Sequence, residues 1–186
     1  QRNIYPSFLA KFTEAVKVLQ VGNGAKENVQ IGPLINKDAI DKVERLLKDA
    51  VNRGAQVVMG GKKEAKPNLF FPPTILTHCT GEMQLSQEEI FGPVSAIYLF
   101  DREEEAVALA NDTQYGLAAY FFTQNIAKVW RVAGQLQYGM IGINEGLISA
   151  AEAPFGGVKQ SGYGREGSRY GIDEFLTIKY LCIGNM

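Results

Sequence analysis

Few side chains in this sequence are arranged for reactive or binding chemistry. Gly162, Gly164 and Gly167 in SGYGREG fall at G-x-G-x-x-G, the spacing with which a backbone turn holds a dinucleotide pyrophosphate. That role requires a buried strand before the glycines and a helix after them, inside a βαβ unit of about 30 residues. The preceding PFGGVKQ is no strand, and residues 168–186 leave no room for a second parallel strand. The glycines therefore need another reason. His78 is the only histidine, and T-H-C-T offers no second ligand pair for zinc and no triad spacing, so it reads as a polar residue ending a strand. Cys79 lacks an evident helix N-terminus or a basic neighbour other than His78, and Cys182 sits in an apolar stretch. Both read as structural thiols. Residue chemistry alone assembles neither a metal site nor a catalytic constellation.

Two stretches remain. In QEEIFGPV (87–94) paired carboxylates stand against an apolar strand, followed by an aromatic residue and a Gly-Pro turn. This is either a helix end stapled to a strand or a fixed carboxylate able to accept hydrogen bonds from sugar hydroxyls, with Phe91 offering a flat face. In NEGLISAAEAPFGGVKQSGYGREGS (144–168) a strand ends in a loop of small residues and glycines. Ligands of open α/β sheets bind beyond the carboxyl ends of strands, so this loop is placed for a site.

The elements that must position these stretches alternate between helix and strand. Phe8, Leu9, Phe12, Val16 and Leu19 repeat at helical spacing behind Pro6, which suits a first turn. Asn36 is a good N-cap for a helix with Ile40, Val43, Leu47 and Val51 on one face, stopped by Gly54. VVMGG (57–61) reads as a short buried strand, and LFFPPTILT (69–77) as an extended segment whose prolines put it at an edge or a kink. PVSAIYLF (93–100) is a continuous apolar strand, after which Asp101 caps a helix with Glu104 at the capping-box position and Val107 and Ala110 inward. LAAYFFT (117–123) is a buried strand, the next helix runs through Ile126, Val129, Trp130, Ala133 and Leu136, and GMIGIN (139–144) follows as a strand. Strands without polar alternation, joined by helices, predict an α/β fold with a mostly parallel sheet covered on both faces. FLTIKYLCI (175–183) stands apart as a terminal strand.

Composition bounds the function. With 46% hydrophobic and 21% charged residues, the chain is ordinary globular material. A net charge of −1 with scattered lysines points to neither a nucleic-acid nor a membrane surface. No apolar run approaches the roughly 20 residues that span a bilayer, and no signal peptide is visible. Two cysteines suit a reduced, cytoplasmic setting. The first residue is Gln1 and not Met, so the chain is expected to be a piece of something longer.

EEIFGP and PFGGVKQSGYGREG resemble signature segments of the aldehyde dehydrogenase superfamily. The similarity extends from the first helix through VGNGAKENVQIGPLIN to the C-terminus, and NEGLIS with APFGGVKQSGYGREGSRYGIDEFLTIKYLCIG most resembles its succinate-semialdehyde dehydrogenases. The resemblance implies an incomplete catalytic domain over residues 1–170 and an oligomerisation strand over 171–186. It implies NAD or NADP as cofactor, an aldehyde substrate and a homo-oligomer, a dimer or a dimer of dimers. Glu89 corresponds to the carboxylate that holds the nicotinamide ribose hydroxyls, Phe91 packs beside that ribose, and Lys42 lies toward the adenosine end. Phe155 lines the aldehyde pocket, and Ser149 falls where a hydroxyl meets the distal carboxylate of a semialdehyde. A loop serine also makes local turn bonds, and that reading stays open for Ser149. In the family the glycine-rich loop crosses the substrate entrance, where glycines allow close approach and positive φ. The nucleophilic cysteine, the general-base glutamate and the nucleotide-binding domain all lie upstream of the segment matched by Gln1. No catalytic residue is therefore assigned here, and the isolated chain is expected to be inactive. The alternatives are a dehydrogenase for another semialdehyde or an uncharged aldehyde, and a non-catalytic α/β ligand or interaction domain.

Overall fold

A computed structural model describes residues 1–62 and 69–185. The chain forms two compact units, Gln1–Ala106 and Val107–Met186.

In the first unit, α1 (Tyr5–Lys17) carries Pro6 in its opening turn, where a missing N–H costs nothing. Phe8 and Phe12, one turn apart, stack with ring centroids 5.5 Å apart. In α2 (Lys37–Asn52) the Asn36 side chain accepts from the Ala39 N–H at 2.9 Å, so the expected N-cap is present. Ile40, Val43, Leu46, Leu47 and Ala50 form its buried face. Val51, expected on that face, is exposed, because Ala50 takes the inward place one turn after Leu47. Gly54 follows in the left-handed region (φ 101°) and ends the helix.

Strands β1 (Gln56–Met59), β2 (Thr74–Thr77) and β3 (Val94–Ala96) form a sheet in that order, antiparallel between β1 and β2 and parallel between β2 and β3. Two expectations are corrected here. The prolines do not make β2 an edge: Pro72 and Pro73 stop just before the ladder, where no N–H donor is needed, and β2 is the fully buried central strand. The buried strand expected at 57–61 is the edge, with Val57 44% exposed, since among the described residues only β2 pairs with it. The buried hydroxyl of Thr74 donates to the Pro72 carbonyl and accepts from the Gly61 N–H, both at 2.9 Å. Phe71, Leu76, Cys79, Met83 and Leu85 pack with the α2 face into one core. Burial pushes the Cys79 thiol above its ordinary pKa, which fits a structural thiol. His78 ends β2 in the left-handed region (φ 58°).

Helix α3 (Glu103–Asn111) is capped by Glu105, not by the expected Glu104. The Glu105 carboxylate accepts from the Asp101 and Arg102 N–H groups at 3.0 and 3.4 Å. Asp101 is drawn off by Arg2, which donates to both its oxygens at 2.8 and 3.1 Å, and the helix starts one residue later than a capping box on Asp101 requires.

The second unit contains a parallel βαβ arrangement: β4 (Tyr115–Gly116) is followed by β5 (Ala118–Phe121), α4 (Ile126–Gln135) and β6 (Met140–Ile143), with β5 paired to β6. Asn125 caps α4 by accepting from the Lys128 N–H at 3.0 Å. The inward stripe of α4 is Val132 with half-buried Val129, Ala133 and Leu136. Ile126 and Trp130, expected with them, are exposed, Trp130 to 75%. β5 is half-buried rather than buried, with Tyr120 exposed. β7 (Val158–Lys159) pairs antiparallel with β4, so PFGGVKQ, expected to hold no strand, holds a two-residue one; no α-helix follows it among the described residues. The α/β class holds, with β2–β3 and β5–β6 parallel; the antiparallel β1–β2 and β4–β7 pairs are of a kind that continuous apolar runs cannot distinguish.

The terminal strand expected over 175–183 is not formed. After a short 3-10 turn at Asp173–Phe175, residues 176–185 have no ladder partner among the described residues, and their side chains are exposed. An extended apolar segment becomes a strand only where an edge pairs with it. Met186 of the expected 171–186 segment lies outside the described residues.

Candidate functional site

Lys42, Glu89 and Phe91 fall in the first unit, and Ser149 and Phe155 in the second. The adjacent carboxylates Glu88 and Glu89 have separate fates. Arg45 on α2 donates through Nη2 to both Glu88 oxygens, each at 2.8 Å, and Lys42 Nζ lies 3.5 Å from the same carboxylate. Glu89 is exposed and makes no hydrogen bond or ion pair among the described residues. Phe91, 78% exposed, takes a left-handed conformation (φ 50°) uncommon for an aromatic residue. Residue chemistry alone left the paired glutamates undivided, and only the family resemblance singled out Glu89; the structure ties Glu88 to α2 and leaves both Glu89 oxygens open among the described residues. Lys42 meets Glu88 and not Glu89.

The hydrogen bond from Arg45, aided by the charges of Arg45 and Lys42, holds Glu88 below the usual glutamate pKa. A depressed folded-state value means that the carboxylate stabilises the fold above its unfolded pKa of about 4.3, and that this contribution is lost as pH falls through the folded value. The Tm of the protein is therefore expected to exceed that of Glu88→Gln at neutral pH, with the gap closing below the glutamate range. A gap unchanged on acidification contradicts the pairing.

In the second unit the loop after β6 is pinned by residues that sequence reading passed over. Asn144 (φ 57°) accepts from the Thr123 N–H and donates to the Thr123 carbonyl, both at 2.8 Å, which ties the end of β6 to the end of β5. Glu145 accepts from the Leu147 and Gly146 N–H groups at 3.0 and 2.8 Å, and these bonds hold its carboxyl below the usual range. The N-E dipeptide at a strand end was the available signal. Ser149 lies beyond this capped turn, exposed, and its hydroxyl makes no hydrogen bond among the described residues.

Phe155 is half-buried and bridges to Glu166 through two backbone hydrogen bonds of 2.9 Å. It lines an open cleft of about 330 Å³ with Leu117, Tyr163, Glu174 and Phe175; Ser149 is not in that lining. The bridge closes the glycine-rich loop on itself, and Arg165 spans it by donating to the Gly157 and Gly164 carbonyls at 2.8 and 2.6 Å. Gly162, Gly164 and Gly167 all have positive φ (126°, 73° and 68°), and none opens an α-helix. A Cβ on Gly156 would sit 2.7 Å from the Gly164 carbonyl oxygen. The glycines serve turns and close backbone approach rather than a pyrophosphate.

The described residues contain no group of three or more His, Cys, Asp or Glu able to hold a metal ion, and no helix long and apolar enough to cross a membrane.

Residues 1–181 match the Aldehyde dehydrogenase family, and the chain belongs to that family. Within it, the chain is similar to succinate-semialdehyde dehydrogenases. It is 56% identical to the mitochondrial succinate-semialdehyde dehydrogenase of Rattus norvegicus over 187 residues, covering 100% of this chain and 36% of that protein. A probable NADP(+) succinate-semialdehyde dehydrogenase of Sinorhizobium fredii is 51% identical over 186 residues, 100% of this chain and 38% of its own length. The structure of a succinate-semialdehyde dehydrogenase from Burkholderia pseudomallei superposes with a TM-score of 0.94 at 52% identity, covering 97% of this chain and 37% of that one. A betaine aldehyde dehydrogenase from Staphylococcus aureus in complex with NAD+ superposes with a TM-score of 0.88 at 39% identity, over 95% of this chain and 36% of that one. The chain thus spans 36% to 38% of the length of these relatives.

Proposed function

We propose that the complete protein is an NAD(P)-dependent aldehyde dehydrogenase that oxidises succinic semialdehyde to succinate. To it this chain contributes part of the catalytic domain (1–170) and an oligomerisation segment (171–186). The observation that carries the cofactor side is the division between Glu88, tied to α2, and Glu89, exposed with both oxygens open. A free carboxylate beside an exposed aromatic ring fits a ribose: two acceptor oxygens match a vicinal diol, and the ring gives the sugar an apolar face. When bound, the nicotinamide supplies the hydride acceptor. Glu89 holds the ribose hydroxyls and so sets the ring position, Phe91 packs beside the sugar, and Lys42 faces the adenosine end.

On the substrate side, Phe155 gives the aldehyde pocket an apolar wall that excludes water, and Ser149 donates a hydrogen bond to the distal carboxylate. The nucleophilic thiol and the general base belong to the remainder of the protein, so the 186-residue chain by itself is expected to give no turnover. A cytoplasmic location is proposed from the two unpaired cysteines, although some relatives are named mitochondrial. The test is nicotinamide reduction by the complete protein with succinic semialdehyde and with uncharged aldehydes of similar length. Preference for succinic semialdehyde with NAD+ or NADP+ is expected. No reduction, or equal turnover of the uncharged aldehydes, contradicts the proposal.

The assembly proposed is a dimer or a dimer of dimers built through residues 175–183. Leu176, Ile178 and Tyr180 alternate with Thr177 and Lys179, and Ile178 is 97% exposed in the single chain. Such a segment needs a partner edge to avoid aggregation. Sedimentation of the complete protein at micromolar concentration is expected to give a dimer or larger. A stable monomer with this segment ordered and unpaired contradicts the assignment.

A further inference from the structure

We infer that Arg45 is a positioning residue for Glu89: through Glu88 and Gln84 it fixes to α2 the segment that presents Glu89 and Phe91. The inference rests on the reading of Glu89 as the ribose ligand. Lys42, Arg45 and Asp49 follow one another at three- and four-residue intervals and so share one face of α2, beside the core face. Each is bonded to the segment running from Gln84 to Glu88. Asp49 accepts from the Gln84 N–H at 2.8 Å and is itself held by Arg53 Nε at 2.9 Å. Arg45 donates through Nη1 to the Gln84 side-chain oxygen and through Nη2 to both Glu88 oxygens. The Glu88 N–H in turn donates to the Gln84 carbonyl at 2.9 Å, so one guanidinium grips both ends of a single turn.

The far end of the segment is anchored separately. Ile90 packs on the core, and Gly92 lies so close to α2 that a Cβ there would stand 2.7 Å from Val43 Cγ2. Glu89 and Phe91 project into solvent from a stretch fastened to α2 before and after them. The guanidinium fork is what a lysine cannot reproduce: Arg45 addresses two acceptors in one plane, which fixes orientation as well as distance. A side chain that must meet two hydroxyls at once is sensitive to small displacements of its backbone.

The experiment uses the complete protein and titrates NAD(P)H by fluorescence, beside single-turnover hydride transfer and the KM for aldehyde. Arg45→Met is expected to weaken NAD(P)H binding about 10-fold and to slow hydride transfer, a smaller loss than that of the contacting residue, with the aldehyde KM unchanged. Arg45→Lys is expected to recover part of the binding. In Glu89→Gln the further change Arg45→Met is expected to cost nothing more, because its effect passes through Glu89. Wild-type binding in Arg45→Met, with Glu89→Gln impaired, overturns the inference and leaves the ribose reading standing. Losses that multiply in the double variant also overturn it, since Arg45 then acts on the fold at large. Glu89→Gln with unimpaired binding and hydride transfer removes the ribose reading itself, and the inference with it. If Arg45→Met does not fold, Glu88→Gln takes its place, with weakened NAD(P)H binding expected and wild-type binding overturning the inference.

Discussion

Ser149→Ala in the complete protein is expected to lower kcat/KM for succinic semialdehyde roughly 10- to 150-fold, the loss of one hydrogen bond to a charged group worth about 1.5–3 kcal/mol. An uncharged aldehyde of similar length should lose little, because it offers that hydroxyl no charge to meet. The competing role, a local turn bond, is disfavoured by the loop's own hydrogen bonds. Glu145 accepts from the Gly146 and Leu147 N–H groups and Asn144 ties the strand ends, while the Ser149 hydroxyl has no partner among the described residues. Its exposure argues against a folding defect from alanine, and equal losses on both aldehydes would expose one. No loss on either would leave the semialdehyde assignment without its local support.

Glu89→Gln is expected to slow hydride transfer about 100-fold, the size of effect that follows when a reacting group is displaced by an ångström. Glutamine keeps the shape and one acceptor oxygen but replaces the other with a donor, so it cannot accept from both ribose hydroxyls. Because Glu88 and not Glu89 carries the bonds to α2, the substitution should leave the fold intact. Single-turnover NAD(P)H formation separates this step from product release. An unchanged single-turnover rate counts against the ribose assignment.

Much of this was legible in the sequence because local rules governed it. The Asn36 cap, the α2 core face through Leu47 and the βαβ run of β5, α4 and β6 follow from capping chemistry and hydrophobic period. The failures share a physical cause. Whether an apolar strand is central or an edge depends on what pairs with it, so β1 and β2 exchanged their expected places. Trp130 and the 175–183 segment are apolar yet exposed, for apolarity reports a need for cover and not where the cover is. The capping carboxylate slid from Glu104 to Glu105 because Arg2, some hundred positions away in sequence, engages Asp101. The family resemblance singled out Glu89, but what holds Glu88 away was hidden for the same reason: Arg45, which binds it, lies in another element.

Whether Glu89 receives the nicotinamide ribose is tested most directly by a crystal structure of the complete protein with NAD(P)+ bound. Both ribose hydroxyls are expected to donate to the Glu89 carboxylate at about 2.5–2.7 Å, the short range of hydroxyl-to-carboxylate bonds, with Arg45 still on Glu88. A bound nicotinamide ribose whose hydroxyls are held by other residues, with Glu89 left in solvent, would contradict it.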